Sequence, residues 1–216
     1  MSARIAGLYA ITPDLADTAG LLSRVRAALA GGVRVLQYRN KTATPGLRLA
    51  QARALQTLCT EFSVPLIIND SVDIAIAVDA AGVHLGGDDG DLAAARTRLG
   101  PDKLLGASCY DRIELAQTAI AAGADHVAFG SFFVSAIKPG AARPPVGLIT
   151  QAKQQFNLPI IAIGGITAQN APQLIAAGVD AVAVISALFA APDIAATARE
   201  LHLLFEARHE KKSKAL

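Results

Sequence analysis

Acidic side chains follow two neighbouring apolar runs of the sequence and give the first indication of chemistry. Asp70 directly follows the run at 65–69, and Asp88 and Asp89 follow the run at 82–85 after two glycines. Short apolar runs that stop at polar residues are typical of strands buried on both faces of a parallel sheet. Carboxylates at the ends of two such strands can converge, and they suit Mg²⁺, which binds one or two protein oxygens and leaves positions for substrate phosphate. The pattern therefore favours a Mg²⁺ site between these two acidic loops.

Polar residues and glycines follow most of the other apolar runs. Gly164 and Gly165 allow backbone N–H groups to approach a ligand closely, and together with the last strand-end loop they occupy the usual phosphate position of a barrel. Basic residues beside acidic loops and glycine-rich loops indicate binding of phosphorylated substrates with a metal. The further strand-end residues are Gln37, Arg39, Lys41, Asn69, Ser108, residues 131–138, Ile185 and Ser186.

Eight strand-like runs alternate with eight helical segments along the chain. This count predicts an α/β fold, a single-domain (β/α)₈ TIM barrel over residues 1–207, followed by a disordered basic tail at 208–216. The alternative is an open doubly wound sheet, but no GxGxxG follows the first strand and polar residues follow nearly every strand. The predicted strands are 8–12, 33–38, 65–69, 82–85, 104–108, 125–130, 159–163 and 180–184, and the predicted helices are 21–30, 45–61, 71–80, 91–99, 111–122, 146–156, 169–177 and 192–206.

Composition narrows the possible functions. The 216 residues are 52% apolar and carry 20 basic and 18 acidic side chains, a balance too even for a nucleic-acid surface. No apolar run is long enough to span a membrane, and Cys59 and Cys109 lack metal-binding or disulfide spacing. We expect a soluble cytoplasmic protein whose partners are small phosphorylated molecules, with no nucleic acid and no membrane; a homo-oligomer stays open.

Each candidate residue also has a purely structural interpretation. Asp70 can cap the helix that starts near Ser71, and Asp89 or Asp91 can cap the next helix. Arg39 and Lys41 can be solvated loop charges, and we interpret His84 as a hydrogen-bonded core residue rather than a metal ligand. The joint occurrence of these residues favours a functional site.

Seven short motifs carry a family resemblance. They are Gln37-x-Arg39-x-Lys41, Ile67-Ile68-Asn69-Asp70, Val83-His84-Leu85-Gly86 with Asp89, Gly106-Ala107-Ser108, Gly130 to Lys138, Ala162-Ile163-Gly164-Gly165-Ile166 and Val184-Ile185-Ser186-Ala187. Together, from about Leu8 to Phe205, they resemble the thiamine-phosphate synthase family.

The resemblance implies a transferase of thiamine biosynthesis. It would join 4-amino-2-methyl-5-hydroxymethylpyrimidine diphosphate to a thiazole phosphate, or to its carboxylated form, and release diphosphate. By this resemblance Asp70 and Asp89 would hold Mg²⁺, and Arg39, Lys41, Ser108 and Lys138 would be catalytic. Contacts to the pyrimidine diphosphate would come from Gln37, Tyr38, Arg39, Asn40, Lys41, Asn69, Ser108 and Lys138, and contacts to the thiazole phosphate from Ser135, Ala136, Ile137, Gly165, Ile185 and Ser186.

The implied chemistry agrees with the residue types. Diphosphate can leave by a dissociative path, because an amino-substituted pyrimidine supports a cation at the reacting carbon. Arg39, Lys41, Lys138 and Mg²⁺ would neutralise the leaving group, and no nucleophilic side chain is needed.

The sequence departs from the family after the sixth strand. Family members commonly have Pro-Thr-x-Thr-Lys there, whereas this chain has Val134 to Lys138 with Ile137 in place of a hydroxyl residue. A smaller departure is Gly87, where the family often has Gln. We expect weaker thiazole binding and an unchanged reaction class.

Three other functions compete with this interpretation. A thiazole tautomerase-like enzyme would share the barrel without coupling the two rings, and another phosphate-binding barrel, such as a sugar-phosphate epimerase, would share only the glycine site. A ligand sensor that kept the fold is the third.

Overall fold

The computed structural model of the chain describes residues 5–87, 89–134 and 143–213. Eight parallel strands pair in chain order, and β8 pairs with β1, so the sheet closes into a barrel and confirms the predicted fold. The strands are β1 (Gly7–Ile11), β2 (Val35–Tyr38), β3 (Leu66–Asn69), β4 (Gly82–Leu85), β5 (Leu104–Tyr110), β6 (His126–Phe129), β7 (Ile160–Ile163) and β8 (Ala181–Val184).

Helices follow every strand and pack around the barrel. They are α1 (Thr18–Ala30), α2 (Pro45–Glu61), α3 (Val72–Ala77), α4 (Leu92–Leu99), α5 (Ile113–Ala121), α6 (Gly147–Gln155), α7 (Ala171–Ala176), α8 (Ser186–Phe189) and α9 (Ile194–Ser213). The one-turn helix α8 was not predicted, and α9 continues past the predicted end at 206 through the first part of the predicted tail.

The strands are apolar on both faces because both faces are buried. In β1, Leu8 and Ala10 pack against the surrounding helices, while Tyr9 and Ile11 point into the barrel interior. The same alternation continues around the sheet, since successive side chains of a strand point to opposite faces. It therefore decides which strand-end side chains reach the interior and its mouth.

Short polar side chains begin several of the helices. Thr44 accepts a hydrogen bond from the Leu47 N–H and precedes Pro45, which occupies the first turn of α2. Ser71 caps α3 through the Ile74 N–H, and Asp91 caps α4 through two backbone N–H groups. These caps satisfy donors that a helix start leaves without partners.

Two aspartates join neighbouring strands at the N-terminal end of the barrel. Asp125, just before β6, accepts a hydrogen bond from the Leu105 N–H at 2.7 Å and pairs with Arg96 of α4. Asp180, just before β8, accepts from the Ile160 N–H at 2.8 Å and pairs with Lys153 of α6 at 2.8 Å. The two arrangements are equivalent: each links a helix, the strand after it and the next strand.

Cys59 and Cys109 are both buried free thiols, in agreement with the prediction of no disulfide. Burial raises the pKa of each thiol to about 12, so both thiols stay protonated near neutral pH. Within the described ranges, no helix combines the length and the apolar character needed to cross a membrane.

Candidate active site

A cavity of about 840 Å³ opens at the C-terminal ends of the strands. It is the place where barrel enzymes carry their active sites, because all eight strand-end loops meet there. The structure brings most of the predicted site residues together around it. Those that line the cavity are Gln37, Arg39, Lys41, Asn69, Asp70, Asp89, Ser108, Gly165, Ile185 and Ser186.

Tyr38 and Asn40, also predicted as substrate contacts, do not line this cavity. The Tyr38 hydroxyl donates to Gln51 Oε1 at 2.8 Å, and Asn40 Nδ2 donates to the same oxygen and to the Leu15 carbonyl. Both side chains lie between the barrel and the helices, because alternate residues of β2 and its extension point outward. The motif places Gln37, Arg39 and Lys41 two residues apart, so these three side chains point to the same side, toward the cavity.

Four predicted site residues lie outside the described residues: Ser135, Ala136, Ile137 and Lys138. Asp88, the acid next to Asp89, also lies outside them.

Asp70 does not cap α3, so its structural interpretation is wrong, whereas of the two acids offered as caps of α4 it is Asp91 and not Asp89 that caps the helix. Ser71 and Asp91 cap α3 and α4 instead. Asp89 Oδ2 accepts a hydrogen bond from the Gly86 N–H at 2.7 Å, which closes the loop after β4. Asp70 has a left-handed backbone with φ of 65°, and its N–H donates to the His84 carbonyl at 2.9 Å.

The two carboxylates lie next to one another at the rim of the cavity. Burial raises the pKa of Asp70, and the hydrogen bond and negative charge of Asp89 raise it further, while Lys41 opposes the shift. Lys41 Nζ lies 3.3 Å from Asp70 Oδ2 on a side chain that is 56% exposed. An adjacent pair of carboxylates with one exposed cation beside it, among the described residues, is a hard-oxygen donor set that suits Mg²⁺. Within the described residues, no group of three or more potential ligands is present.

Arg39 is held by a residue that the sequence interpretation missed. Its Nη1 donates to both oxygens of Asp14, at 3.0 and 3.1 Å. Asp14 follows β1, the one strand whose loop offered no candidate. The sequence signal that indicates Asp14 as a site residue is its position at a strand end, two residues after Thr12.

Polar groups also lie on the floor of the cavity. Gln37 Nε2 donates to the Tyr9 hydroxyl at 3.0 Å, and His84 Nε2 lies 2.9 Å from Ser108 Oγ. Burial lowers the pKa of His84 to about 4, against a smaller opposite effect of Asp89, so the imidazole is neutral near neutral pH. His84 is thus a hydrogen-bonded core histidine, as expected.

A second histidine lies deeper in the barrel. His126 is fully buried, with its ring centroid 5.7 Å from that of His84, and Gly106 packs against both rings. Burial, together with the neighbouring His84, lowers the pKa of His126 to about 3. The interior below the cavity therefore contains two neutral imidazoles.

The opposite side of the cavity is formed by glycine-rich backbone. Gly164 and Gly165 have φ of 103° and 62°, and side chains there would collide with Ser131 and the Val134 carbonyl. Their lack of side chains therefore admits the close approach of the loop after β6. Asn170 holds the loop after β7, because it donates to the Gly165 carbonyl at 3.0 Å and accepts from the Thr167 N–H at 2.8 Å.

Two further cavity residues, at the end of β5 and in the loop after it, were not predicted. Tyr110 accepts a hydrogen bond from the Gly87 N–H at 3.2 Å through its hydroxyl, and it lines the cavity together with Arg112. Tyr110 has φ of 54° at an irregularity in the pairing of β5 with β6. Such an irregularity changes the direction of a strand-end side chain, and the sequence gives no signal for it.

Known proteins were compared with this chain. A sequence profile described as "Thiamine monophosphate synthase" matches residues 8–188. The chain belongs to this family. A relative from Methylobacillus flagellatus named thiamine-phosphate synthase is 56% identical over 201 residues, which cover 93% of this chain and 96% of the relative. A relative of the same name from Thiobacillus denitrificans is 53% identical over 205 residues, covering 95% and 97%.

A solved structure agrees with the sequence relatives. The thiamine phosphate pyrophosphorylase from Pyrococcus furiosus superposes with a TM-score of 0.83 at 32% identity, covering 94% of this chain and 96% of that one. The predicted family and enzyme class, a transferase of thiamine biosynthesis, are thereby confirmed.

Proposed function

We propose that the chain joins 4-amino-2-methyl-5-hydroxymethylpyrimidine diphosphate to a thiazole phosphate, giving thiamine phosphate and diphosphate. The observation that carries the proposal is one cavity with two chemically different sides. Arg39, Lys41 and the pair of acids lie on the side of β2 to β4, and the glycine loop with Ser186 lies on the side of β7 and β8. Such a cavity can hold two phosphorylated molecules face to face.

The charged side suits the diphosphate. When diphosphate leaves, the carbon–oxygen bond breaks, both electrons depart with the oxygen, and Arg39 and Lys41 stabilise the developing negative charge. Asp70 and Asp89 would hold Mg²⁺, which when bound neutralises charge on phosphate oxygens. Lys138 would add a third basic group, as its place in the family motif implies.

The floor suits the pyrimidine ring. Gln37 Nε2 is used by the Tyr9 hydroxyl, and Gln37 Oε1 has no partner among the described residues, so this oxygen can accept a hydrogen bond from the exocyclic amino group. Ser108 is held by the neutral His84 and presents a second polar group nearby. Fixed polar groups at two points would orient the reacting carbon toward the thiazole.

The glycine side suits the thiazole phosphate. Gly165 and Ser186 line the cavity there, and Asn170 fixes the backbone of Gly165. The ring nitrogen of the thiazole donates its electron pair to the pyrimidine carbon and forms the new carbon–nitrogen bond. The reaction transfers no proton, so it needs no catalytic base.

The test is a coupling assay with both substrates and Mg²⁺. We expect thiamine phosphate and diphosphate in a one-to-one ratio, quantified by chromatography, and no product when either substrate is omitted. A chain that converts a thiazole without coupling it, or that forms no thiamine phosphate, would contradict the proposal. A matched reaction with a chelator measures the dependence on the metal separately.

A further inference from the structure

Asp14 contacts the basic segment after β2 at two points. Its carboxylate accepts from Arg39 Nη1 through both oxygens, and Asp14 Oδ1 also accepts from the Lys41 backbone N–H at 2.7 Å. One carboxylate from the loop after β1 therefore fixes the guanidinium of Arg39 and the backbone of Lys41. Both basic residues line the cavity, whereas Asp14 does not.

The same loop also fixes the backbone of this segment. Thr12 is fully buried, and its Oγ1 accepts from the Arg39 N–H at 2.9 Å and donates to the Arg39 carbonyl at 2.8 Å. The Thr12 N–H donates to the Gln37 carbonyl, which extends the pairing of β1 with β2. Residues 12–14 thus hold the backbone on both sides of the Arg39 side chain and the side chain itself.

A role in fold stability alone explains this arrangement poorly. The side chains of Arg39 and Asp14 are 18% and 32% exposed, and partly exposed ion pairs contribute little to stability. A negative charge beside two cations also reduces the attraction of the site for an anion. An acid at this place is useful if the orientation of the guanidinium matters more than the total positive charge.

We propose that Asp14 is a positioning residue that holds Arg39 in the orientation in which its guanidinium meets the departing diphosphate. The inference rests on the proposed function. The opposite view, in which Asp14 only weakens the positive potential, predicts tighter diphosphate binding and an unchanged or faster reaction when the charge is removed. The two views therefore differ in the sign of their effect.

The experiment is a double-mutant cycle with Asp14→Asn and Arg39→Ala, measured as single-turnover coupling rates and as binding of inorganic diphosphate by calorimetry. Asp14→Asn should lower the rate by roughly 10- to 100-fold, as expected for a misplaced catalytic group, and should weaken diphosphate binding. In the Arg39→Ala background most of this loss should disappear, because Asp14 acts mainly through Arg39.

Controls separate positioning from folding and from the proposed function. Asp17→Asn changes a neighbouring acid whose only described side-chain hydrogen bond caps α1, so its rate should match the parent chain. Asp14→Ser also removes the negative charge that holds Arg39 and leaves only a hydroxyl, so it should lose activity as Asp14→Asn does. With two variants, the result does not depend on the folding of one of them.

Two outcomes would overturn the inference: equal effects of Asp14→Asn with and without Arg39, or tighter diphosphate binding at an undiminished rate. If the parent chain forms no thiamine phosphate, the proposed function fails, and the calorimetric cycle still decides whether Asp14 acts through Arg39.

Discussion

The two ends of the barrel use their aspartates in opposite ways. At the N-terminal end, Asp125 and Asp180 each accept a strand N–H and pair with a basic side chain of a preceding helix. At the cavity end, Asp70 and Asp89 lie against each other, and the pKa of Asp70 is raised. The first pair is separated and each member balances a cation, whereas in the second pair two like charges lie together with Lys41 beside Asp70.

This difference separates stability from function. Carboxylates that satisfy backbone donors and balance a cation stabilise the folded chain. Like charges held together are unfavourable to folding, and sites that carry such a cost are typical of active sites. We therefore expect substitutions at the two ends to change different quantities.

The largest expected effect lies at the cavity end. Asp70→Asn and Asp89→Asn should each lower the coupling activity by roughly 100-fold or more, because a carboxylate that would hold Mg²⁺ against the diphosphate is lost. The free energy of unfolding should stay the same or rise, because the repulsion within the pair is removed. Steady-state kinetics over a Mg²⁺ titration and denaturant unfolding measure the two quantities.

Asp91→Asn is the matched control for these two variants. Asp91 is a nearby acid that caps α4, and because Asn caps a helix about as well as Asp, this variant should leave both stability and activity nearly unchanged. Near-full activity of both cavity variants with unchanged Mg²⁺ dependence would remove the basis for the metal site.

The next effect is expected at the opposite end. Asp180→Ala leaves the Ile160 N–H and Lys153 without their partner and should lower the free energy of unfolding by about 2 kcal/mol. The activity of the folded enzyme should change less than about twofold, because Asp180 lies at the end of the barrel opposite to the cavity loops.

Asp102→Ala, at an exposed acid, serves as the comparison and should alter stability by less than about 0.5 kcal/mol. If Asp180→Ala reduced the activity of fully folded protein as strongly as Asp70→Asn, the division between the two ends would be wrong.

A third prediction concerns the interior between the two ends. The pKa of His126 is lowered to about 3, while an unfolded histidine titrates near pH 6.5. Below about pH 6.5 the unfolded chain binds a proton that the folded chain excludes, so His126 reduces stability by about 1.4 kcal/mol per pH unit down to its folded pKa. Above about pH 6.5, the contribution of His126 to the free energy of unfolding does not change with pH.

Denaturant unfolding of the parent chain and of His126→Gln between pH 4 and 8 measures this slope. Below about pH 6, the free energy of unfolding of the variant should depend on pH less steeply than that of the parent, by about one bound proton. Above about pH 7, the two curves should be parallel. The ring neighbours His84 and Tyr9 stay in place in both chains. Equal slopes at low pH would mean that His126 is protonated in the folded barrel.

The smallest expected effect concerns Ile137, which lies outside the described residues. The prediction depends on the sequence alone: a hydroxyl of the family motif is replaced, and one neutral hydrogen bond contributes about 0.5–1.5 kcal/mol. Ile137→Thr should lower the KM for the thiazole phosphate several-fold and leave the KM for the pyrimidine diphosphate unchanged. An unchanged or raised thiazole KM would identify Ile137 as a packing residue.

Much of the site could be predicted because a barrel brings all strand ends together. Asp70, Asp89 and Lys41 come from different loops, and the alternation of strands with helices was enough to place them around one cavity. The helix α2 was predicted with its observed bounds, 45–61, because Thr44 and Pro45 form a local start signal. Signals that act within a few residues are readable from the sequence.

The errors arose where distant residues choose between local alternatives. Asp70 and Ser71 were both able to begin α3, and only the packed chain determined that Ser71 does so. The Tyr38 hydroxyl bonds to Gln51 of α2, a contact that the strand alone does not indicate. In each case a side chain had two chemically acceptable partners.

The sequence by itself determined the barrel, the family and the loops that carry charge, because hydrophobic periodicity and strand-end motifs are local properties. Only the tertiary structure decided which charges meet. Asp14 and Arg39 are 25 residues apart, and their contact exists because β1 and β2 pair in a register that brings the two loops together. A pairing of this kind depends on the free energy of the whole closed sheet, so no short stretch of sequence contains it.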